Sequence, residues 1–149
     1  MKTILSILAL LGVVAGCGGA VDDMSGPVHI TANDAMQFNK RAFQIRMGNP
    51  VSITLENIGK MPKETMGHNL VILKPGSDRN AFGIAAAQAK DTDYIPADQQ
   101  DRVVAHTKLL GPGEKETIEF NPTQAGEYPY LCSFPGHFGT MKGTIVVRR

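Results

Sequence analysis

Short hydrophobic runs, alternating or continuous, recur along the chain after residue 27. Residues 51–55 (Val-Ser-Ile-Thr-Leu) alternate with a period of two, the spacing of a strand with one buried face. Residues 69–73 form an apolar run, which is typical of a strand buried on both faces. Further strands are predicted at residues 28–31, 42–47, 102–107, 116–120, 128–132 and 143–148. Seven or eight short strands separated by Gly and Pro turn signals predict an all-β sandwich.

One segment between these strands has the composition of a helix instead. Ser77 and Asp78 are favourable N-cap residues, and the residues that follow are rich in alanine, the strongest helix former. We therefore expect one short helical insert at about residues 77–90, weakened in its middle by Gly83. The polar residues 91–101 that follow predict a loop.

The first 27 residues have the features of a targeting segment. Lys2 precedes an apolar run over residues 4–14, which is too short for a membrane-spanning helix of about 20 residues. Residues 1–16 are predicted to be a signal peptide, and Val-Ala-Gly-Cys at 14–17 resembles the bacterial lipobox, in which the cysteine is lipidated and begins the mature protein. A plain secretory signal with a chance cysteine is the alternative to lipidation of Cys17. Residues 17–27 would then be a flexible tether, and residues 28–149 the folded domain.

Length and charge exclude some function classes. A chain of 149 residues supports one domain with a hydrophobic core rather than two. Fifteen Lys and Arg against fourteen Asp and Glu give a formal charge of +1. We expect no nucleic-acid partner, because there is no basic excess to neutralise phosphates.

The loop between the last two predicted strands collects side chains that bind metals. Cys132, His137 and Met141 supply a thiol, an imidazole and a thioether within ten residues. Soft sulfur ligands together with imidazole favour copper over magnesium or calcium. A fourth ligand must come from elsewhere, and His68, just before the strand predicted at 69–73, is the best candidate. Two histidines and a cysteine with a weak axial methionine form the blue-copper electron-transfer site.

Other interpretations explain these residues only one at a time. A single cysteine or methionine is usually a buried hydrophobe. Zinc sites seldom use a thioether, and structural ones usually have four Cys or His ligands. A Cys132 nucleophile with His137 as its base has no evident orienting group, so we do not expect an enzyme. His29 and His106 lie far from the loop in sequence and are interpreted as surface or structural residues.

Longer stretches of the chain resemble azurins, which belong to the cupredoxin family. The matching segments are residues 35–39, 61–69, 93–94, 96–111, 113–115 and 132–144. The spacing Cys-x4-His-x3-Met from Cys132 to Met141 is that of azurins, whereas plastocyanin-like proteins have a shorter gap between cysteine and histidine. The resemblance covers about residues 28–149 and implies an eight-stranded Greek-key cupredoxin sandwich with the helix outside it.

The resemblance implies a single type 1 copper. Five residues would surround it: His68, Cys132 and His137 as equatorial ligands, Met141 as a distant axial ligand, and Gly67 through its carbonyl. Asn69 would brace the ligand loop by hydrogen bonds, and the amides of Ser133 and Phe134 would tune the thiolate.

The resemblance also implies an electron carrier that alternates between Cu(II) and Cu(I). Its transient partners would be redox proteins such as c-type cytochromes or copper oxidases and reductases, docking on an apolar patch around His137. This patch would consist of Met36, Met61, Met66, Phe134 and Pro135. The lipid anchor would be its contact with the membrane, and would hold it in the bacterial envelope, facing the periplasm or on the outer membrane. A copper storage or delivery protein is the alternative, which rapid electron self-exchange would argue against.

Overall fold

The alternating hydrophobic pattern builds two facing β-sheets in the computed structural model, which describes residues 21–149. The predicted signal peptide and Cys17 lie outside the described residues. The strands are β1 Asp22–Asp23, β2 Val28–Asn33, β3 Gln37–Phe38, β4 Ala42–Arg46, β5 Val51–Asn57, β6 Val71–Leu73, β7 Val103–His106, β8 Lys115–Phe120, β9 Gly126–Leu131 and β10 Lys142–Arg148. The α-helices are α1 Lys63–Met66 and α2 Arg79–Ala86, and short 3-10 helices span Lys90–Thr92 and Ala97–Arg102.

Both sheets mix parallel and antiparallel pairs. The larger sheet has the order β1-β4-β10-β9-β6-β7, and the smaller has the order β3-β2-β5-β8. β4 lies parallel to β10 and β2 lies parallel to β5, while β9 and β10 form an antiparallel hairpin. The all-β sandwich predicted from the sequence is therefore confirmed.

The core lies between the sheets and follows the alternation read from the sequence. In β5, Val51, Ile53 and Leu55 are buried, while the residues between them are partly exposed. All three residues of β6 are buried, as the apolar run predicted, and this strand lies inside the larger sheet between β9 and β7. Val71 at the start of β6 pairs with Leu131 at the end of β9, so these two strand ends lie at the same end of the sandwich.

All eight predicted strands are present, but the helical insert is shorter than predicted. α2 begins after Asp78, whose carboxylate accepts hydrogen bonds from the amides of Asn80 and Ala81 at 2.9 and 3.0 Å. The insert predicted at about 77–90 contains an α-helix only to Ala86, and the predicted loop 91–101 includes most of a 3-10 helix, Ala97–Arg102. β1, β3 and α1 were not predicted, because segments of two to four residues are too short to show a period.

The strand β1 lies within the segment predicted to be a flexible tether. Asp22 and Asp23 pair in parallel with Phe43 and Gln44 of β4, and the Met24 amide donates a 2.8 Å hydrogen bond to the Gln44 carbonyl. The ordered domain therefore begins earlier than residue 28. Among the described residues, no helix is both long and apolar enough to cross a membrane.

Candidate metal centre

The β9–β10 hairpin brings two of the predicted ligands together. Leu131 at the end of β9 pairs with Lys142 at the start of β10, so the intervening loop is closed at its base. The Cys132 amide donates a 2.9 Å hydrogen bond to the Met141 carbonyl. Both side chains are fully buried, so the thiol and the thioether lie in the same water-excluded end of the sandwich.

The turn inside this loop directs His137 toward the cysteine. The His137 amide donates to the Phe134 carbonyl at 3.0 Å, and the Met141 amide donates to the His137 carbonyl at 2.8 Å. Gly136 has a φ of +82°, in the left-handed region that favours glycine. The result is a separation of 3.6 Å between His137 Nδ1 and Cys132 Sγ.

The third ligand comes from a separate segment that is held to the sandwich by a backbone bridge. His68 and Leu110 exchange two backbone hydrogen bonds, of 3.1 and 2.8 Å. Gly67 packs closely beside them, since an added Cβ would lie 2.6 Å from the Lys63 carbonyl oxygen and 2.9 Å from Leu109 Cγ. In this position His68 Nδ1 lies 4.0 Å from Cys132 Sγ.

The three side chains form a group suited to one metal ion. The ligand atoms of His68, Cys132 and His137 all lie within 4.8 Å of one another, and all three residues are buried. Buried polar groups normally have partners, and these three converge on one point that a cation can occupy. One sulfur and two imidazole nitrogens form the donor set that suits copper. The residues present therefore fit the metal that the sequence predicted.

Burial controls the protonation of the metal-free site. It raises the pKa of the Cys132 thiol to about 11, although hydrogen bonds from the backbone of Asn69 and Phe134 oppose this rise. Burial lowers the pKa of His68, and burial together with the neighbouring His68 lowers the pKa of His137 to about 4. At neutral pH both imidazoles are thus free to bind a metal, whereas the thiol must lose its proton first.

Asn69 joins the segment that carries His68 to the segment that carries Cys132 by hydrogen bonds. Its Oδ1 accepts a 2.8 Å hydrogen bond from the Ser133 amide, and its Nδ2 donates to Ser133 Oγ at 2.8 Å and to the Asp93 carbonyl at 3.0 Å. The prediction that the Ser133 amide tunes the thiolate is wrong, because that amide donates to Asn69. The backbone hydrogen bonds that act to lower the pKa of Cys132 come from Asn69 and Phe134.

The predicted docking patch is partly formed by surface residues. Met61 is 42% exposed, and Met36, Met66 and Pro135 are half-buried. The Met36 carbonyl accepts a hydrogen bond from Thr140 Oγ1 at 3.2 Å, which places it beside the ligand loop. Phe134 differs from the prediction, since it is only 8% exposed, and His137 itself is 3% exposed.

Tyr94 explains the burial of Phe134 and was not predicted as part of this site. Its ring packs edge-on against Phe134 with the ring centres 5.1 Å apart, and Phe134 in turn lies 4.7 Å from the His137 ring. Tyr94 has a φ of +62°. The sequence feature that could have pointed to Tyr94 is its position as an aromatic residue inside the polar loop predicted at residues 91–101. His29 and His106 are exposed in β2 and β7 and lie outside the metal-binding group, as expected.

A comparison with protein families agrees with this geometry. Residues 25–148 match the model of the family described as copper binding proteins, plastocyanin/azurin family. The chain belongs to the plastocyanin/azurin family. Within this family, the cluster of His68, Cys132 and His137 corresponds to a site that holds one copper ion.

The similar proteins include an outer membrane protein and several azurins. Outer membrane protein H.8 of Neisseria meningitidis is 42% identical over 123 residues, which cover 79% of this chain and 65% of the relative. Azurin-1 of Alcaligenes xylosoxydans xylosoxydans is 39% identical over 122 residues, covering 79% of this chain and 94% of that protein. The chain thus matches about two thirds of the length of H.8 and nearly all of the azurin.

The solved structures support the same fold. The azurin Az-iso2 from Methylomonas sp. strain J superposes with a TM-score of 0.73 at 32% identity, covering 85% of this chain and 100% of that chain. The cupredoxin fold expected from the resemblance is therefore confirmed.

Proposed function

We propose that this protein is an electron carrier that uses one type 1 copper. The observation that carries the proposal is the buried His68–Cys132–His137 cluster, of which His137 exposes 3% of its surface. When bound, copper supplies the chemistry by accepting and releasing one electron between Cu(II) and Cu(I). Burial of all three side chains keeps water from the metal, which suits the transfer of an electron without exchange of ligands.

The remaining residues of the site are assigned supporting roles in the proposal. Met141 is fully buried at the end of the ligand loop, and its thioether would be a further, weaker ligand of the copper. Gly67 directly precedes His68, and its carbonyl would lie beside the bound ion. Asn69 holds the Cys132 and His68 segments at a fixed separation through its hydrogen bonds to Ser133.

The proposed docking surface lies where His137 approaches solvent. Met36, Met61, Met66 and Pro135 supply its apolar atoms, and methionine side chains adapt easily to different partners. Its partners would be redox proteins such as c-type cytochromes or copper oxidases and reductases, which bind briefly. Phe134 would contribute from beneath, by packing on the His137 ring.

The absorption and EPR spectra after addition of Cu(II) test the metal centre. An intense thiolate-to-copper band with a narrow copper hyperfine splitting is expected, and Cys132→Ala should abolish both. A blue spectrum that persists without Cys132 would exclude it as a ligand. A colourless protein that binds zinc tightly would contradict the assignment of copper.

Electron self-exchange tests the carrier function and its surface together. Met66→Lys places a charge in the proposed patch, so self-exchange should slow while the spectrum stays nearly unchanged, because Met66 is not among the proposed ligands. The matched control is Met47→Lys, an exposed methionine outside the patch. Equal rates in both variants would place the docking surface elsewhere, and rapid transfer of copper to an apoprotein would favour a delivery function.

We also propose that Cys17 carries the lipid anchor and holds the protein in the bacterial envelope. The lipobox-like sequence at residues 14–17 and the similarity to H.8 support this proposal. Two acyl chains suffice for stable membrane attachment. Cys17→Ser should move the protein from the membrane fraction to the soluble fraction, and continued dependence on detergent for its extraction would contradict lipidation.

A further inference from the structure

A glycine in the middle of helix α2 is explained by contact with the ligand loop. Gly83 is buried, and an added Cβ would lie 2.7 Å from both Cδ1 and Cδ2 of Phe138 and still closer to its Cγ. Real Cβ atoms do not approach other atoms so closely. The Phe138 ring therefore occupies the space that a side chain at position 83 would need, although glycine is a poor residue for a helix interior.

Phe138 is placed to transmit this contact to the metal centre. It directly follows His137 and lies inside the turn that the Met141 amide closes on the His137 carbonyl at 2.8 Å. Its ring is half-buried and packs against the hydrophobic core. The backbone of Phe138 is thus continuous with that of His137 and lies three residues before Met141.

The helix also contacts the start of β10, just after the ligand loop, through Arg79. Arg79 Nη1 donates a 2.9 Å hydrogen bond to the carbonyl of Gly143, two residues after Met141. The helix itself is fixed, because Asp78 caps its first turn and Phe82 and Ala86 are fully buried. α2 thus contacts the chain on both sides of Met141, at Phe138 in the ligand loop and at Gly143 in β10.

We infer that α2 positions the ligand loop, with Gly83 as a positioning residue that seats Phe138 and thereby fixes His137. The inference rests on the proposed copper site and adds the element that holds the site in place. Ligands keep a fixed geometry only where packing locks the groups that carry them. Because Gly83 has no side chain, the Phe138 ring has room to pack against α2.

A double-mutant cycle tests the inference on the copper-loaded chain. The variants are Gly83→Ala, Phe138→Ala and the two combined. Gly83→Ala should alter the copper hyperfine splitting and speed copper loss to a chelator about tenfold, the lower end of the effect of changing residues that orient metal ligands. In the Phe138→Ala background the same substitution should change copper loss by less than about twofold, because the added methyl then meets no ring.

Controls separate positioning from simple effects on folding. Gly139→Ala lies in the same loop, and its added Cβ would meet nothing within 4 Å, so it should leave the spectrum and copper loss unchanged. Thermal unfolding of each metal-free variant gives a readout that does not depend on copper. Phe138→Leu replaces Phe138→Ala if the smaller side chain prevents folding.

Two results would overturn the inference. One is a Gly83→Ala variant that unfolds at a lower temperature yet keeps the wild-type spectrum and rate of copper loss, which would make Gly83 structural only. The other is an equal effect of Gly83→Ala with and without the Phe138 ring. A wild-type protein without a blue spectrum would instead refute the proposed function, so the two failures are distinguishable.

Discussion

Lowering the pH should weaken the binding of a metal to the apoprotein, because protons compete with the metal for the buried Cys132 thiolate. Its pKa is raised by burial to about 11 from an ordinary value of 9.0. Between pH 7 and pH 10 both site histidines are neutral, since burial lowers the pKa of each below its ordinary value. One proton must therefore leave for each metal bound, and affinity must rise with pH.

The size of this effect follows from the raised pKa. A thiol with a pKa of about 11 stays mostly protonated up to pH 10, so affinity should increase about 1000-fold over these three pH units, or about 4 kcal/mol. A thiol with the ordinary value would already be ionised above pH 9. In that case the increase would be only about 90-fold, close to 2.7 kcal/mol.

The change in metal affinity between pH 7 and pH 10 can be measured by competition against a chromophoric chelator. Zn(II) is the metal used, because it does not oxidise the thiol. The Cys17→Ser variant serves as the host, because Cys132 is then the only thiol in the chain. The pH dependence of the chelator is determined in parallel. Titration of the thiolate absorbance near 240 nm in the metal-free protein, with the Cys132→Ser derivative subtracted, gives the pKa independently.

Two outcomes would refute the reasoning. Affinity that is flat between pH 7 and pH 10 would mean that Cys132 is already ionised in the folded protein. A rise that levels off above pH 9 would mean that burial does not control its ionisation, and that hydrogen bonds from the Asn69 and Phe134 backbone outweigh it.

Three further substitutions test the geometry around the site. Gly67→Ala should destabilise the domain by about 1–3 kcal/mol, because the new methyl group would press against a backbone carbonyl, and denaturant unfolding measures the loss. Asn69→Ala leaves the buried Ser133 amide without its partner, so it should cost about 1–3 kcal/mol and shift the reduction potential; an unchanged potential would separate Asn69 from the copper. Tyr130→Phe removes a 2.6 Å hydrogen bond to the Lys40 carbonyl and should cost about 1 kcal/mol in the same unfolding assay while leaving the visible spectrum unaltered.

The sequence predicted those features of the fold and the site that depend on a single residue type or on a regular hydrophobic period. The alternation of residues 51–55 predicted β5 because a sheet with one buried face imposes that period. Cys132, His137 and His68 could be predicted as ligands because few metals use that set of donors. Both signals are local or chemical, and neither requires knowledge of how distant segments pack.

Contacts between distant segments could not be predicted from these patterns. Gly83 was recognised only as a weak point of a helix, since its explanation is a ring 55 residues later in the chain. Phe134 was expected at the surface, but Tyr94 covers it from a loop whose sequence shows no period. The Ser133 amide was expected to tune the thiolate sulfur, but it donates its hydrogen bond to the side chain of Asn69 instead.

The short strand β1 determines from which side the chain enters the domain. It runs parallel to β4, and β4 runs parallel to β10, which begins directly after Met141. Asp22, at the start of β1, therefore lies on the side of Asp23 that faces the end of the sandwich carrying the metal centre. Cys17 is five residues before Asp22, so even a fully extended backbone separates them by no more than about 18 Å.

A lipid on Cys17 would thus confine the copper to a thin layer next to the bilayer. The carrier could not cross the compartment to a distant acceptor. It would meet its partners by lateral diffusion, and its turnover would depend on their density in the same membrane rather than on their concentration in bulk solution.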